Sequence, residues 1–151
     1  MFKKILCPVD FSQYTQDVIN CAADLAKKYG GELHVMHVVP NMTYFTPYES
    51  FLTPENLVAI ERNIEDEVES NFTKLLKNES VPTKSIIKTG APFVEIIDYA
   101  KSESIDLIVM GTHGHSGIEH ILIGNVAEKV VRKSPCPVMT IRPKGKTFKM
   151  P

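Results

Sequence analysis

Apolar residues follow two alternating rhythms along this chain. Short continuous runs, richest in β-branched residues, fall at 5–9, 33–39, 82–89, 107–110 and 138–141 and read as strands. Between them apolar positions recur every three or four residues, the spacing of a helix with one buried stripe. The first such stripe is Val18, Ala22, Leu25, Ala26 and Tyr29, with Ser12 as its expected N-cap and Gly30-Gly31 as its stop. The second is Leu57, Ile60, Ile64, Val68, Phe72 and Leu75, which opens on Thr53-Pro54 and predicts the longest helix. A short helix follows Gly90-Ala91-Pro92 and places Val94, Ile97 and Ala100 on one side. A last one covers Asn125–Lys133 and breaks at Ser134-Pro135-Cys136-Pro137.

Five strands alternating with four helices predict an α/β domain, a parallel sheet covered by helices on both faces, because right-handed crossovers of this length leave few other solutions. Residues 40–53 hold two prolines and several aromatics without a period, and read as a long loop and candidate lid. Residues 1–143 form the expected single domain, and 144–151 a flexible polar tail.

Composition narrows the class. At 151 residues, 43% hydrophobic and 23% charged, the chain is long and apolar enough to bury a core without a partner. Its formal charge of −1 supplies no counterion-release drive toward nucleic acid and no attraction to an anionic membrane. The apolar start is too short for a signal peptide or a membrane span. Cys7, Cys21 and Cys136 are odd in number and lack C-x-x-C spacing, which fits a reducing cytoplasm and argues against a disulfide framework or a zinc site. A small ligand is the expected partner.

In an open parallel sheet, ligands bind beyond the carboxyl ends of the strands where the strand order reverses. Asp10 follows the first strand, Val38 closes the second, and 111–117 follows the fourth. Glycines there uncover backbone N–H groups for an anion, and the helix beginning near Gly124-Asn125 adds its positive end. A Walker loop needs Lys and Ser/Thr straight after its last glycine, and a dinucleotide fingerprint needs G-x-G-x-x-G after the first strand. Neither pattern occurs. The glycines stand instead at Gly111, Gly114 and, after nine residues, Gly124.

Three segments, Met110-Gly111-Thr112-His113-Gly114, Gly124-Asn125-Val126-Ala127-Glu128 and Ser134-Pro135-Cys136-Pro137-Val138, resemble the signature of the universal stress protein family. The opening Lys4-Ile5-Leu6-Cys7-Pro8-Val9-Asp10-Phe11-Ser12 and His37-Val38-Val39 are similar to the same family's, so the match runs from Phe2 to about Arg142. The resemblance implies an adenine-nucleotide α-hydrolase-like sheet in the order 3-2-1-4-5 and a cytoplasmic homodimer joined through Val138–Ile141. It also implies ATP, or ADP or AMP, as ligand, with Mg²⁺ as a companion. Carried over, Asp10, preceded by Pro8 and Val9, meets the ribose, Val38 offers backbone groups to the adenine, and Met110 lies near the base or sugar. Gly111, Gly114 and Gly124 let the chain wrap the phosphates, with Asn125 as a phosphate contact and His115 as a cation when protonated, and His113 and Val126 complete the implied site. Asn125 stands where the family's ATP-binding members carry Ser or Thr; its amide still donates to a phosphate oxygen, although it is bulkier than a hydroxyl.

Other chemistries find less support. His113, His115 and His120 lie in a glycine-bearing stretch without a Cys partner and make no defined metal-ligand set. His34 and His37 are three apart on a strand, point to opposite faces, and read as packing residues. Cys7 and Cys21 read as small buried hydrophobes. No Ser, Cys or Lys stands in a nucleophile motif. The expected function is a stress-response sensor or regulator that binds adenine nucleotide and acts on a regulatory protein partner, with an ATP-independent dimeric interaction protein and a slow ATPase as the alternatives.

Overall fold

The computed structural model describes residues 1–41, 53–112 and 124–142. Nine elements follow in strict alternation: β1 (Lys4–Pro8), α1 (Thr15–Tyr29), β2 (Glu32–Val39), α2 (Pro54–Leu75), β3 (Thr83–Thr89), α3 (Pro92–Ser102), β4 (Leu107–Gly111), α4 (Asn125–Lys133) and β5 (Val138–Ile141). The strands form one parallel sheet in the order β3-β2-β1-β4-β5. Both the alternation and the order match the expectation from sequence. Residues 42–52 of the candidate lid at 40–53, the glycine-bearing stretch 113–123, and residue 143 with the tail 144–151 lie outside the described residues.

Period-two alternation explains why the strands read as unbroken apolar runs. Ile5, Cys7, Leu33, Val35, Leu107 and Val109 point to one face, where Val18, Ile19 and Ala22 of α1 and Val68 and Phe72 of α2 cover them. Leu6, Met36, Val38, Ile108 and Met110 point to the other, under Ile96 and Ala100 of α3 and Ala127 and Val130 of α4. The three inner strands therefore need apolar residues on both sides, whereas the edge strands β3 and β5 keep exposed positions.

Four local expectations are corrected. Leu57 and Ile60, at the start of the α2 stripe, are exposed, and the helix buries Val68 and Phe72 farther along. Ser12 is not the N-cap of α1: Tyr14 holds that position without a side-chain bond, because Asp10 Oδ1 takes the Ser12 amide at 3.0 Å and builds a separate turn ahead of the helix. On α3 the buried face is Ile96, Ile97 and Ala100, and Val94 is exposed. Cys21 is half-buried, whereas Cys7 is fully enclosed and burial pushes its thiol pKa up, which keeps it protonated. The other caps stand as read. Gly30 adopts a left-handed φ of 59°, and Thr53 accepts from the Asn56 amide ahead of Pro54.

Two polar clusters tie the amino-terminal side of the sheet. His34 is wholly buried, with Nδ1 2.9 Å from the Tyr99 hydroxyl and Nε2 2.9 Å from Glu32 Oε1. A carboxylate only accepts, so Nε2 carries the proton and Tyr99 donates to Nδ1. Hydrogen bonds from His34 and then Lys84 hold the Glu32 carboxyl below its usual range.

Asp106 Oδ2 accepts the amides of Lys3 (2.8 Å) and Lys4 (2.9 Å), while its own N–H donates to the Lys4 carbonyl. Those amide bonds, that of Lys4 first, hold its pKa below the ordinary aspartate value. A depressed carboxylate contributes stability above its unfolded pKa of about 3.9 and loses it as pH falls through the folded value. Asp106→Asn is expected to cost about 1 kcal/mol at neutral pH, and the gap between variant and parent should narrow as pH falls from the unfolded value of about 3.9 through the lower folded one. Urea unfolding at pH 7 and at successive steps down the acid range checks this; a gap that does not narrow would refute it.

Candidate functional site

The carboxyl ends of β1, β2 and β4 open into a cleft of about 830 Å³ that straddles the sheet edge. Nine of the sequence-predicted site residues line it together: Pro8, Val9, Asp10, Val38, Met110, Gly111, Gly124, Asn125 and Val126. His113, Gly114 and His115 lie outside the described residues. The convergence follows from topology. β1 runs between β2 and β4, so the chain leaving β1 at Asp10 lies between the ends of its two neighbours, where the strand order reverses.

Asp10 sits in a tight turn. Its Oδ1 accepts the Ser12 amide at 3.0 Å and the buried Thr15 hydroxyl at 3.3 Å. Phe11 between them has φ 57°, a left-handed conformation that costs a non-glycine residue about 1–3 kcal/mol and persists only where the surroundings enforce it. The Phe11 ring is the visible restraint. It packs against the His37 ring at 4.5 Å and edge-on to Phe72 at 5.4 Å.

On the other side, Gly111 ends β4, and the Thr112 amide donates to Ile141 of β5 at 3.0 Å. The Thr112 carbonyl accepts the Gly124 amide at 2.6 Å, so the two ends of the glycine-bearing stretch meet beside the cleft. Gly124 is the N-cap of α4 and supplies no side-chain cap. The first-turn amides of α4 therefore lack a partner from the helix itself and point its positive end at the cleft.

No Lys or Arg is among the described residues lining the cleft, whereas Asp10 and Glu67 are. An anionic group there would be held by backbone N–H groups and the helix end, and a sugar hydroxyl by the Asp10 carboxylate. Val38, Met110 and Ile96 supply an apolar wall suited to a flat ring. No cluster of three metal-ligating side chains occurs among the described residues.

Sequence reasoning missed several lining residues: Phe11, His37, Glu67, Asn71, Pro92 and Thr112. Glu67 and Asn71 flank the Ile64–Val68 stripe of α2 at helical spacing, which was a readable signal that they border a packed face. His37, taken from sequence as a packing residue, does pack, but its Nδ1 also meets the Val9 carbonyl at 2.9 Å.

A family model described as the universal stress protein family matches residues 1–142. Universal stress protein YxiE of Bacillus subtilis is 32% identical, with 94% of this chain and 100% of the relative covered. Among solved structures, universal stress protein UspA from Lactobacillus plantarum is 30% identical with a TM-score of 0.75, covering 93% of this chain and 98% of its own. Two more distant structures share the fold: a universal stress protein in complex with cAMP, 20% identical with a TM-score of 0.61, covering 93% of this chain and 97% of its own, and one from Archaeoglobus fulgidus in complex with dAMP, 22% identical with a TM-score of 0.59, covering 93% and 98%.

Proposed function

Because the chain belongs to the universal stress protein family, we propose that it binds an adenine nucleotide in the carboxyl-edge cleft and works as a nucleotide-responsive regulator of the stress response. The observation that carries this reading is the convergence of Asp10, Val38, Met110, Gly111, Gly124 and Asn125 on one cleft. These are the described positions that the family resemblance assigns to ribose, base and phosphates, and Pro8, Val9 and Val126 lie beside them. The full proposed site adds His113, Gly114 and His115. The adenine nucleotides held by two structures of the same fold, cAMP and dAMP, agree in ligand class.

The preferred ligand is ATP, or ADP or AMP, with Mg²⁺ accompanying the polyphosphate. In the absence of lysine and arginine from the described lining, binding depends on backbone amides, and Asn125 in place of Ser or Thr changes one donor. Calorimetric titration of the purified protein with Mg-ATP is expected to show saturable binding near one site per chain. No heat from a folded protein free of copurified nucleotide would transfer the function to its surfaces.

A cytoplasmic homodimer is part of the same proposal. β5 is an edge strand, paired only with β4 among the described residues, and its Met139 is 40% exposed. An open strand edge beside an exposed apolar side chain favours pairing with a second copy. Sedimentation equilibrium is expected to give twice the chain mass, and a monomer at micromolar concentration would end this part of the reading. In the proposed dimer, a regulatory protein partner reads the joint surface.

A further inference from the structure

We infer that His37 is a positioning residue for the nucleotide site: it clamps the Asp10 turn from both sides, through a hydrogen bond to Val9 and a ring contact on Phe11. The inference rests on the reading that Asp10 meets the ligand, and deepens it. His37 is on β2, not on the turn. Its Nδ1 lies 2.9 Å from the Val9 carbonyl, and a carbonyl only accepts, so Nδ1 carries the proton. The Val9 amide is already taken by the Met36 carbonyl at 2.8 Å. Two successive residues of β2 therefore hold both polar groups of the residue before Asp10.

The residue after Asp10 is held by the same imidazole. Phe11 has φ 57°, a conformation an L-residue leaves unless contacts oppose it. Its ring lies 4.5 Å from the His37 ring, tilted by 38°, with Phe72 closing the other side at 5.4 Å. Val9 and Phe11 bracket Asp10, so the direction of the carboxylate is set from β2 as well as by its own bonds to Ser12 and Thr15. A valine or isoleucine would fill a strand position as well, but could make neither the polar tether nor the ring contact. This is positioning by a neighbour that need not touch the ligand.

The Ser12 amide reports on the turn, because it donates to Asp10 Oδ1. Two variants divide the clamp. His37→Phe keeps a ring against Phe11 and removes the tether; His37→Asn keeps an N–H near the Nδ1 position and removes the ring. Each is examined by urea unfolding, by the Ser12 amide proton shift and exchange rate, and by titration with Mg-ATP. In folded His37→Phe the Ser12 amide is expected to move upfield and exchange about tenfold faster, with Kd for Mg-ATP raised about tenfold. In His37→Asn, which keeps the tether but removes the ring from Phe11, the amide is expected to move in the same direction by less, with Kd raised about threefold. An unchanged Ser12 amide in folded His37→Phe would overturn the inference.

Two controls keep the outcomes apart. If the parent protein binds no Mg-ATP, the proposed function fails, while the Ser12 amide still decides whether His37 sets the turn. If His37→Phe does not fold, the imidazole nitrogen shifts of the parent decide: a protonated Nδ1 supports the tether, and a proton on Nε2 alone overturns it.

Discussion

Gly31→Ala is expected to lower the free energy of unfolding by about 2–3 kcal/mol, more than a glycine-to-alanine change normally costs. A Cβ built at Gly31 would meet the Lys3 carbonyl oxygen at 2.6 Å, the Phe2 oxygen at 2.8 Å and the Lys3 carbonyl carbon at 2.9 Å. These are backbone atoms and cannot swing aside. The Lys3 carbonyl accepts the Glu32 amide at 2.8 Å, and the Lys3 amide is held by Asp106. Relieving the clash would pull β1 from β2 at the start of their ladder. Gly30 is the control: its φ of 59° penalises alanine, yet the nearest atom to an added Cβ there is the flexible Lys3 Nζ at 3.7 Å. Gly30→Ala is expected to cost about 1 kcal/mol. Urea midpoints with unchanged slope check both, and equal losses at the two positions would refute the steric argument.

The second large effect is on binding. Asp10→Ala is expected to weaken Mg-ATP by at least about tenfold, or 1.4 kcal/mol. Two opposed terms decide this. A carboxylate and a phosphate about 8 Å apart in water repel by only about 0.5 kcal/mol, so removing the charge gains little. A lost charge-assisted hydrogen bond to a ribose hydroxyl costs about 1.5–3 kcal/mol. The variant also releases Ser12 and Thr15, which loosens the turn at Phe11. Asp10→Asn retains an Oδ1 acceptor for both and should fall between parent and alanine. Calorimetry on the three proteins gives the order; tighter binding by Asp10→Ala would show that repulsion dominates and that the carboxylate does not meet the sugar.

The strand–helix alternation was legible because each signal was local. Gly30 stops α1, Thr53-Pro54 starts α2, and the apolar runs fit a sheet covered on both faces. The errors have two causes. Ser12 looks like a helix cap until Asp10, two residues earlier, takes its amide, and Val94 fits the helical period as well as Ile96 until α3 is seen against the sheet. In the candidate site, residues at strand ends were readable because strand order alone places them. Glu67 and Asn71 were readable only as the border of a packed helix face; that this border lines the cleft depends on where α2 packs on the sheet. His37 was judged by its parity on β2, which is correct but silent about the Val9 carbonyl, a contact 28 residues away in sequence.

The central place of β1 also bears on the order in which the protein can be made. Translation delivers β1, β2 and β3 as a contiguous half-sheet by residue 89, but the other edge of β1 has no neighbour until β4 begins at Leu107. At about 5–20 residues per second, a ribosome leaves that edge open for roughly one to four seconds. An open parallel edge between apolar faces is a template for wrong partners. The lysines at the start of β1 stand beside it, and Asp106 arrives one residue ahead of β4 to capture their amides. The same carboxylate that steadies the finished sheet thus marks the register at which its second half joins the nascent chain.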